Sequence, residues 1–222
     1  MTGLVSQKIN FIKQQIPSSV RLIAVTKTVS ADRMIDAYKT GIKDFGENRL
    51  QEALTKQQQL QDFSDICWHF IGHIQKNKAK KILESFTWIH SVDSLSLAQR
   101  LNRLAAELSL RPKVCLQVKV LPDPNKYGWE IPELLQDLPQ LDSFQHLDIQ
   151  GLMTILPLGL SPEETLNAFQ KTKDLAVEID RQNWSNLKMQ ELSMGMSADY
   201  LLAIQAGATM IRLGRTIFGE RA

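Results

Sequence analysis

Short apolar segments alternate along the chain with longer, more polar stretches in which an apolar residue recurs every three or four positions. The sequence contains eight such apolar segments: VRLIAVTK, IKDFGEN, WHFIGHI, FTWIHSVD, KVCLQVKV, HLDIQGLMTI, KMQELSMG and MIRLGRTIF. Their length is typical of strands, and they are too uniformly apolar for a sheet that has one face in water. The pattern therefore predicts buried strands.

The stretches between the strands have the spacing of helices. They predict an amphipathic N-terminal helix at Leu4–Gln15 and further helices at Ala31–Thr40, Arg49–Asp62, Asn77–Glu84, Leu95–Leu108, Ile131–Leu138, Pro162–Arg181 and Ala198–Ala206. Several of these helices carry terminal signals. Ser161 precedes Pro162, a pair that favours a helix start. Gly41 and Gly207 follow helix ends, where a left-handed residue is often needed.

Strands that alternate with helices predict a parallel sheet. Eight such units in 222 residues predict a single (β/α)8 TIM barrel that spans residues 1–222, without a second β domain. An open, doubly wound sheet is the alternative. The last strand is expected to end near Phe218 with no helix after it, and the N-terminal helix is expected to cover that gap.

Composition excludes several classes of partner. The net charge is +2, and the one basic run, QKNKAKK, is typical of a solvated helix face, so no nucleic acid partner is expected. No apolar run reaches the roughly 18 residues of a membrane span, and the N-terminus has no signal-peptide core. Cys67 and Cys115 lie far apart in apolar segments, which favours buried thiols in a cytoplasmic protein.

Unusual residues gather where the predicted strands end, which is the place where barrels of this kind form their sites. Lys27 ends the first strand, although lysine is seldom buried without a reason. The motifs SMGMS and GRT then pair glycine with hydroxyl residues after the last two strands. Because glycine lets backbone N–H groups approach an anion closely, the two motifs together favour a phosphate site over simple turns and helix caps.

This set of groups suggests two kinds of chemistry. A lysine that loses solvation near a cation such as Arg212 can attack a carbonyl as a neutral amine and form a Schiff base. Beside a phosphate site, such a lysine fits pyridoxal 5′-phosphate (PLP), and it fits equally an aldolase acting on a phosphorylated sugar. The residues alone do not separate the two. No metal site is expected, because His69 and His73 stand apart from any carboxylate cluster in the sequence.

The motifs AVTKT, FGENRLQE, WHFIGHIQKNK, HSVDS, GLMTI and LSMGMSADYLLAIQAGATMIRLGRTIFG resemble, in this order and spacing, those of the pyridoxal phosphate homeostasis protein family. The similarity runs from the first strand to the C-terminus, and the long C-terminal block is its most specific part. The resemblance implies a fold-type III PLP barrel related to the N-terminal domain of alanine racemase.

The resemblance also implies a role for individual residues. Lys27 would be the Schiff-base lysine, and Arg212 would lie near the pyridine nitrogen, where a cation weakens the ring as an electron sink. The phosphate would be held mainly by the last two loops, through Ser193, Gly195, Ser197, Gly214, Arg215 and Thr216. Asn48 would sit beside the aldehyde and the 3′-oxygen. The pocket wall would be lined by His69, Ile71 and Met153.

The implied function is a PLP carrier that buffers or delivers the cofactor, maintains vitamin B6 and affects amino-acid pools, with no established catalysis. One lysine at an open site fits this role, because racemisation takes two bases on opposite faces. Among the tyrosines, Tyr127 follows a strand and could reach the mouth, although packing within its loop is the favoured alternative. The alternatives are a weak amino-acid racemase or other PLP enzyme using Lys27, and a regulator that binds a protein. The expected partners are PLP and PLP-dependent apoenzymes or a regulatory protein, with no membrane, and the expected state is a monomer.

Overall fold

The computed structural model describes residues 2–219. Its strands are β1 (Arg21–Val25), β2 (Asp44–Glu47), β3 (Cys67–Phe70), β4 (Trp88–Val92), β5 (Lys113–Lys119), β6 (Trp129–Glu130), β7 (Asp148–Met153), β8 (Leu187–Ser193) and β9 (Met210–Leu213). Its helices are α1 (Thr2–Gln15), α2 (Ala31–Lys39), α3 (Leu50–Gln59), α4 (Ala79–Ser85), α5 (Leu95–Glu107), α6 (Ile131–Asp142), α7 (Pro162–Asp180), α8 (Tyr200–Gln205) and α9 (Arg215–Phe218). A single 3₁₀ turn at Lys76–Lys78 precedes α4.

The parallel strands close into a barrel. They are hydrogen-bonded in the order β4, β3, β2, β1, β9, β8, β7, β5, and β4 pairs with β5 to complete the ring. The two-residue strand β6 adds to the end of β5. This closure confirms the predicted TIM barrel and rules out the open sheet, which would leave β4 and β5 unpaired with each other.

The end of the last strand differs from the prediction. Strand β9 stops at Leu213, and the apolar residues that follow form the short helix α9. The expectation that no helix follows the last strand was therefore wrong. Ile217 and Phe218 are buried against the barrel, so they read as a continuation of the apolar strand. A short apolar run does not reveal whether it forms a strand or a helix. Helix α1 packs against α2 and α9, as expected of a helix covering this gap.

The core has two layers that the barrel wall separates. The larger layer lies between the strands and the surrounding helices, which explains why the strands are apolar on both faces. The smaller layer fills the inside of the barrel with Ile23, Trp88, Cys115, Met153 and Met210. Polar groups share this interior, and they are described below.

Two of the expected helix signals take the form that the sequence predicts. The Ser161 hydroxyl accepts a hydrogen bond from the Glu164 backbone N–H, and the Glu164 carboxylate accepts one from the Ser161 backbone N–H, so α7 begins with a complete capping box. Gly41 and Gly207 have φ values of +85° and +99° after α2 and α8. No helix in the described part of the chain is both long and apolar enough to cross a membrane.

Candidate functional site

Lys27 lies at the barrel mouth, two residues beyond the end of β1, and is half-buried. Its neighbours follow from strand register. Val25 pairs with Gly46 of β2, and Ala24 pairs with Leu213 of β9. Because parallel neighbours end at the same edge, the residues that follow β2 and β9 flank Lys27 on its two sides.

A buried ionic cluster stands behind Lys27. The ammonium group of Lys56, from α3, donates hydrogen bonds to Glu47 Oε1 at 2.8 Å, Glu52 Oε1 at 2.6 Å and the carbonyl of Thr26 at 2.6 Å. Glu47 is completely buried, and Thr26 donates its hydroxyl to the same carboxylate oxygen at 2.6 Å. Burial raises the pKa of Glu47, although the hydrogen bonds from Lys56 and Thr26 oppose that shift. The cluster fixes the backbone just before Lys27.

The residue after Lys27 is fixed by the same cluster. Thr28 has φ +64°, a left-handed conformation that is uncommon for a threonine. Its backbone N–H donates to Glu52 Oε1 at 2.5 Å. Partial burial raises the pKa of Glu52, but the hydrogen bonds from Lys56 and from the Thr28 backbone outweigh it and leave the pKa lowered. Lys27 is thus held between two anchored neighbours.

Asn48 and Ile71 follow β2 and β3 at the mouth, and both are half-buried. The carboxamide oxygen Oδ1 of Asn48 is buried and accepts no hydrogen bond from any described residue. A buried polar atom without a partner costs free energy, so this oxygen marks a position for a ligand donor. The backbone here is crowded: a Cβ on Gly72 would lie 2.2 Å from the Asn48 carbonyl oxygen.

An open cavity of about 510 Å³ lies on the other side of Lys27, beyond β9. Its lining residues are Lys8, Ser197, Ala198, Arg215, Thr216 and Gly219. Ser197 accepts a hydrogen bond from the Thr216 backbone N–H at 3.3 Å, which joins the two loops predicted to hold phosphate. Two cationic side chains and two hydroxyls without a lining carboxylate make the cavity suitable for an anion.

The remaining predicted phosphate residues lie deeper or shape the loops. Gly195 has φ +91°, and a Cβ there would lie 2.6 Å from the Ala203 side chain. Gly214 directly precedes α9, beside the carbonyl of Val25. Ser193 is fully buried at the end of β8, where its hydroxyl contacts side chains inside the barrel and not the cavity. The structure thus gathers Ser197, Arg215 and Thr216 and places Ser193 apart from them.

Arg212 projects from β9 into the barrel and is almost fully buried. Its guanidinium donates to the Ser193 hydroxyl at 2.6 Å and to the Thr154 carbonyl at 2.9 Å. Burial lowers the pKa of Arg212 to about 10, so it remains a cation at neutral pH. It therefore lies beneath the mouth, between the ends of β7, β8 and β9.

His69 and Met153 are fully buried inside the barrel. Met153 packs in the inner apolar layer with Ile23 and Cys115. The ring of His69 stacks on Trp88 and its nitrogens bond to Asp44 and His90, at 2.9 and 2.8 Å. The side chains of both residues thus lie below the mouth and are enclosed by the barrel wall.

The expectation that the histidines stand apart from carboxylates was wrong. His69 Nε2 contacts Asp44, and His73 Nδ1 contacts Asp93 at 3.0 Å. The strands bring together residues that are 25 and 20 positions apart in the chain. Asp44, Cys67 and His69 offer three metal-ligating atoms within 4.8 Å of one another. The Asp44 carboxylate already has two partners, His69 and the cation Arg21 at 3.9 Å, and burial raises the pKa of Cys67 to about 11.

Several residues of the site were absent from the sequence-based prediction. Lys8 reaches the cavity from α1, far away in the chain, and no motif marks it. Lys56 is buried, although the Glu52–Lys56 spacing and the neighbouring apolar Ala53 could have placed it on the inner face of α3. Tyr127, by contrast, could be considered for the mouth from the sequence, and its ring stacks on His73 with centroids 3.7 Å apart.

The comparisons with known proteins agree with this fold. The family model described as "Alanine racemase, N-terminal domain" matches residues 4–222. The pyridoxal phosphate homeostasis protein of a Synechocystis strain is 55% identical over 206 residues, which cover 93% of this chain and 94% of that protein. The protein of that name from Pseudomonas aeruginosa is 42% identical, over 92% of this chain and 86% of the relative.

Solved structures show the same relationship. PipY of Synechococcus elongatus, solved with PLP bound, is 48% identical to this protein, with a TM-score of 0.92. The match covers 97% of this chain and 100% of the PipY chain. An alanine racemase of Clostridium difficile shares only the fold, at 16% identity and a TM-score of 0.83, over 99% of this chain and 57% of the racemase. The protein is a barrel of the alanine racemase N-terminal type. Within that class, the chain belongs to the pyridoxal phosphate homeostasis protein family.

Proposed function

We propose that this protein binds PLP at the barrel mouth and serves intracellular vitamin B6 homeostasis by buffering or delivering the cofactor. The observation that carries the proposal is the position of Lys27 between the unpaired buried oxygen of Asn48 and the cationic cavity of Arg215 and Lys8. PipY, which is 48% identical over nearly the whole chain, was solved with PLP bound.

The residues at the mouth fit the chemical groups of PLP. When bound, the cofactor supplies an aldehyde, with which a lysine amine condenses to form a Schiff base. Lys27 is the lysine we assign to that bond. Arg215, Ser197 and Thr216, with Gly195 and Gly214 shaping their loops, would hold the phosphate.

The remaining residues of the mouth and the barrel would hold the ring. Asn48 would pair its buried oxygen with a donor of the ligand. Ile71 would line the wall, while His69, Met153 and Ser193 would support the floor from inside the barrel. Arg212 would place its cation at the pyridine nitrogen, where it keeps that nitrogen unprotonated and limits electron withdrawal by the ring. This arrangement favours holding the cofactor over transforming an amino acid.

The proposal is tested by absorption spectroscopy of the purified protein mixed with PLP. We expect a yellow complex that borohydride bleaches, with the reduced label found on the peptide that contains Lys27. The Lys27→Ala variant should remain unlabelled. Lys119→Ala is the matched control, because Lys119 ends β5 at the same edge of the barrel and pairs with Glu130 at 2.8 Å. A wild-type protein that stays colourless with added PLP would overturn the proposal.

Delivery requires a separate measurement. We propose that the recipients are PLP-dependent apoenzymes or a regulatory protein, and that the carrier acts as a cytoplasmic monomer formed by one PLP-binding domain. PLP-loaded protein should activate an apoenzyme even when a phosphatase destroys free PLP. Light scattering of the same sample tests the monomer. Activation that the phosphatase abolishes would indicate that the protein only buffers PLP.

A weak racemase is the second candidate, and the position of Tyr127 favours it. Tyr127 is 57% exposed, and its ring stacks on that of His73, in the loop that follows β3. A phenol at that place could supply the second base that racemisation needs. Exchange of the α-proton of alanine in D2O tests this function: exchange that is lost in both Lys27→Ala and Tyr127→Phe would support an enzyme. Its absence in the wild type would favour the carrier.

A further inference from the structure

A continuous chain of hydrogen bonds crosses the inside of the barrel. Asp44 Oδ1 lies 2.9 Å from His69 Nε2, and His69 Nδ1 lies 2.8 Å from His90 Nε2. His90 Nδ1 then lies 2.7 Å from the Ser193 hydroxyl, which accepts from Arg212 at 2.6 Å. Asp44 begins β2 and Arg212 is near the end of β9, so these hydrogen bonds run from the N-terminal end of the strands towards the mouth.

The chemistry of the two terminal groups fixes the direction of every hydrogen bond between them. A carboxylate only accepts, so His69 carries its proton on Nε2, and its Nδ1 must accept from His90. His90 is then left with an accepting Nδ1, towards which the Ser193 hydroxyl donates. A guanidinium only donates, so Arg212 requires Ser193 as an acceptor, which agrees with this direction.

The surroundings favour this single arrangement. His69, His90 and Ser193 are completely or almost completely buried. Burial lowers the pKa of both histidines, for His90 with the help of the neighbouring His69 and Arg212, and for His69 against the opposing effect of Asp44. The rings are therefore neutral, and each has one donor and one acceptor. A proton added to His69 Nδ1 would make that nitrogen donate to His90 Nε2. His90 would then donate from Nδ1, and the Ser193 hydroxyl would accept hydrogen bonds from both His90 and Arg212.

We propose that Asp44, His69 and His90 are positioning residues for Arg212. From the far end of the barrel they orient the Ser193 hydroxyl so that its lone pair faces the guanidinium, and this fixes the cation beneath the ligand. The inference rests on the proposed function only in naming PLP as that ligand. The direction of these hydrogen bonds is a property of the protein and can be measured without PLP.

The orientation is tested first on the wild-type protein without PLP. Two-bond ¹⁵N–¹H NMR spectra of histidine-labelled protein distinguish the two neutral tautomers, with His69→Gln and His90→Asn used for assignment. We expect both His69 and His90 to carry the proton on Nε2 at about pH 7. A proton on Nδ1 of either ring, or a doubly protonated ring, would overturn the proposal whatever the result with PLP.

The effect of the hydrogen-bond chain on Arg212 is tested with substitutions at His90. His90→Leu removes the acceptor for Ser193, whereas His90→Asn keeps an acceptor near the position of Nδ1. We expect PLP affinity to fall about tenfold in His90→Leu, together with a shifted absorption maximum of the bound cofactor, because the guanidinium loses a fixed acceptor. His90→Asn should restore most of both properties. A rescue of this kind is not expected if His90 only fills space.

Asp44→Asn removes the terminal charge without changing the side-chain size, and it keeps the test decisive if His90→Leu does not fold. Its matched control is Glu191→Gln, since Glu191 is similarly exposed and also faces Arg21, at 3.7 Å, but its carboxylate accepts a hydrogen bond from Thr209 and from neither histidine. We expect a shifted spectrum and a mixture of tautomers in Asp44→Asn only. Wild-type tautomers and spectrum in Asp44→Asn would overturn the positioning role while leaving PLP binding intact.

Discussion

The ammonium nitrogen of Lys56 lies 2.6 Å from the carbonyl oxygen of Thr26, the residue that precedes Lys27. This contact links a helix on the outside of the barrel to the backbone that carries the proposed PLP lysine. Because Lys56 also forms ion pairs with Glu47 and Glu52, the position of Lys27 depends on an ion cluster that does not line the ligand cavity.

Lys56→Met should therefore lower the free energy of unfolding by about 3–5 kcal/mol, since it leaves the buried charge of Glu47 without its partner. PLP binding should weaken as well, because the Thr26 carbonyl loses its anchor. Urea denaturation measures the first effect. Lys81→Met is the control: Lys81 forms an exposed ion pair with Glu84 at 3.3 Å, and the change should stay within about 0.5 kcal/mol. Equal effects in the two variants would contradict the role of the cluster.

Arg215→Gln should weaken PLP binding about tenfold, because the cavity loses one of its two cations facing the phosphate. Inorganic phosphate should compete with PLP in the wild type and much less in the variant. Fluorescence titration measures both effects. Arg103→Gln removes an exposed arginine that pairs with Glu107 on α5, and it should bind PLP like the wild type. If both variants bind alike, the phosphate does not occupy this cavity.

Gly151→Ala should destabilise the barrel by at least about 3 kcal/mol, because the new Cβ would lie 1.7 Å from the Glu191 carbonyl oxygen on the neighbouring strand. The backbones of β7 and β8 would have to separate. Gly3→Ala provides the contrast, since Gly3 lies in α1 with no atom within 4 Å of the added group, and alanine there favours the helix. Thermal unfolding compares the two. A mild effect at Gly151 would mean that the strands can move apart.

Stability should decrease as the pH falls below about 6.5, the ordinary pKa of histidine. His69 and His90 have lowered pKa values in the fold, so the unfolded chain binds more protons in the window beneath 6.5. Each ring can contribute a slope of up to about 1.4 kcal/mol per pH unit there. His90→Asn should remove one ring's share, and His146→Gln, at an exposed position, is its matched control. Identical slopes in all three proteins would contradict neutral buried rings.

The strands and most helices could be predicted from the sequence because buried parallel strands leave apolar runs that are easy to recognise. Strand β9 shows the limit of that signal. Its run continues through Ile217 and Phe218, which are buried for a different reason, as part of a single helical turn. Only Gly214 marks the change, and one glycine does not distinguish a strand that continues from one that ends.

Residues that line the cavity could be predicted to lie together where they stand in motifs after strands, as Ser197, Arg215 and Thr216 do. Two kinds of residue could not be predicted from the sequence. Lys8 approaches the cavity from the opposite end of the chain, so no local pattern relates it to Arg215. Asp44 and His90 were hidden because their relation to Ser193 exists only once the barrel closes and three separate strands face one interior.

Trp88 is a fluorescent side chain inside the barrel, next to the buried histidines. Its indole lies 5.9 Å from the His69 ring and nearly parallel to it, and the Arg21 guanidinium lies 5.3 Å from its centre. An imidazolium beside an indole quenches its emission, whereas a neutral imidazole does so weakly. The His90 ring lies 5.8 Å from the same indole. Once Trp68, Trp129 and Trp184 are replaced, the fluorescence of Trp88 therefore reports a proton gained by either buried histidine, and the protein carries its own optical indicator of their charge.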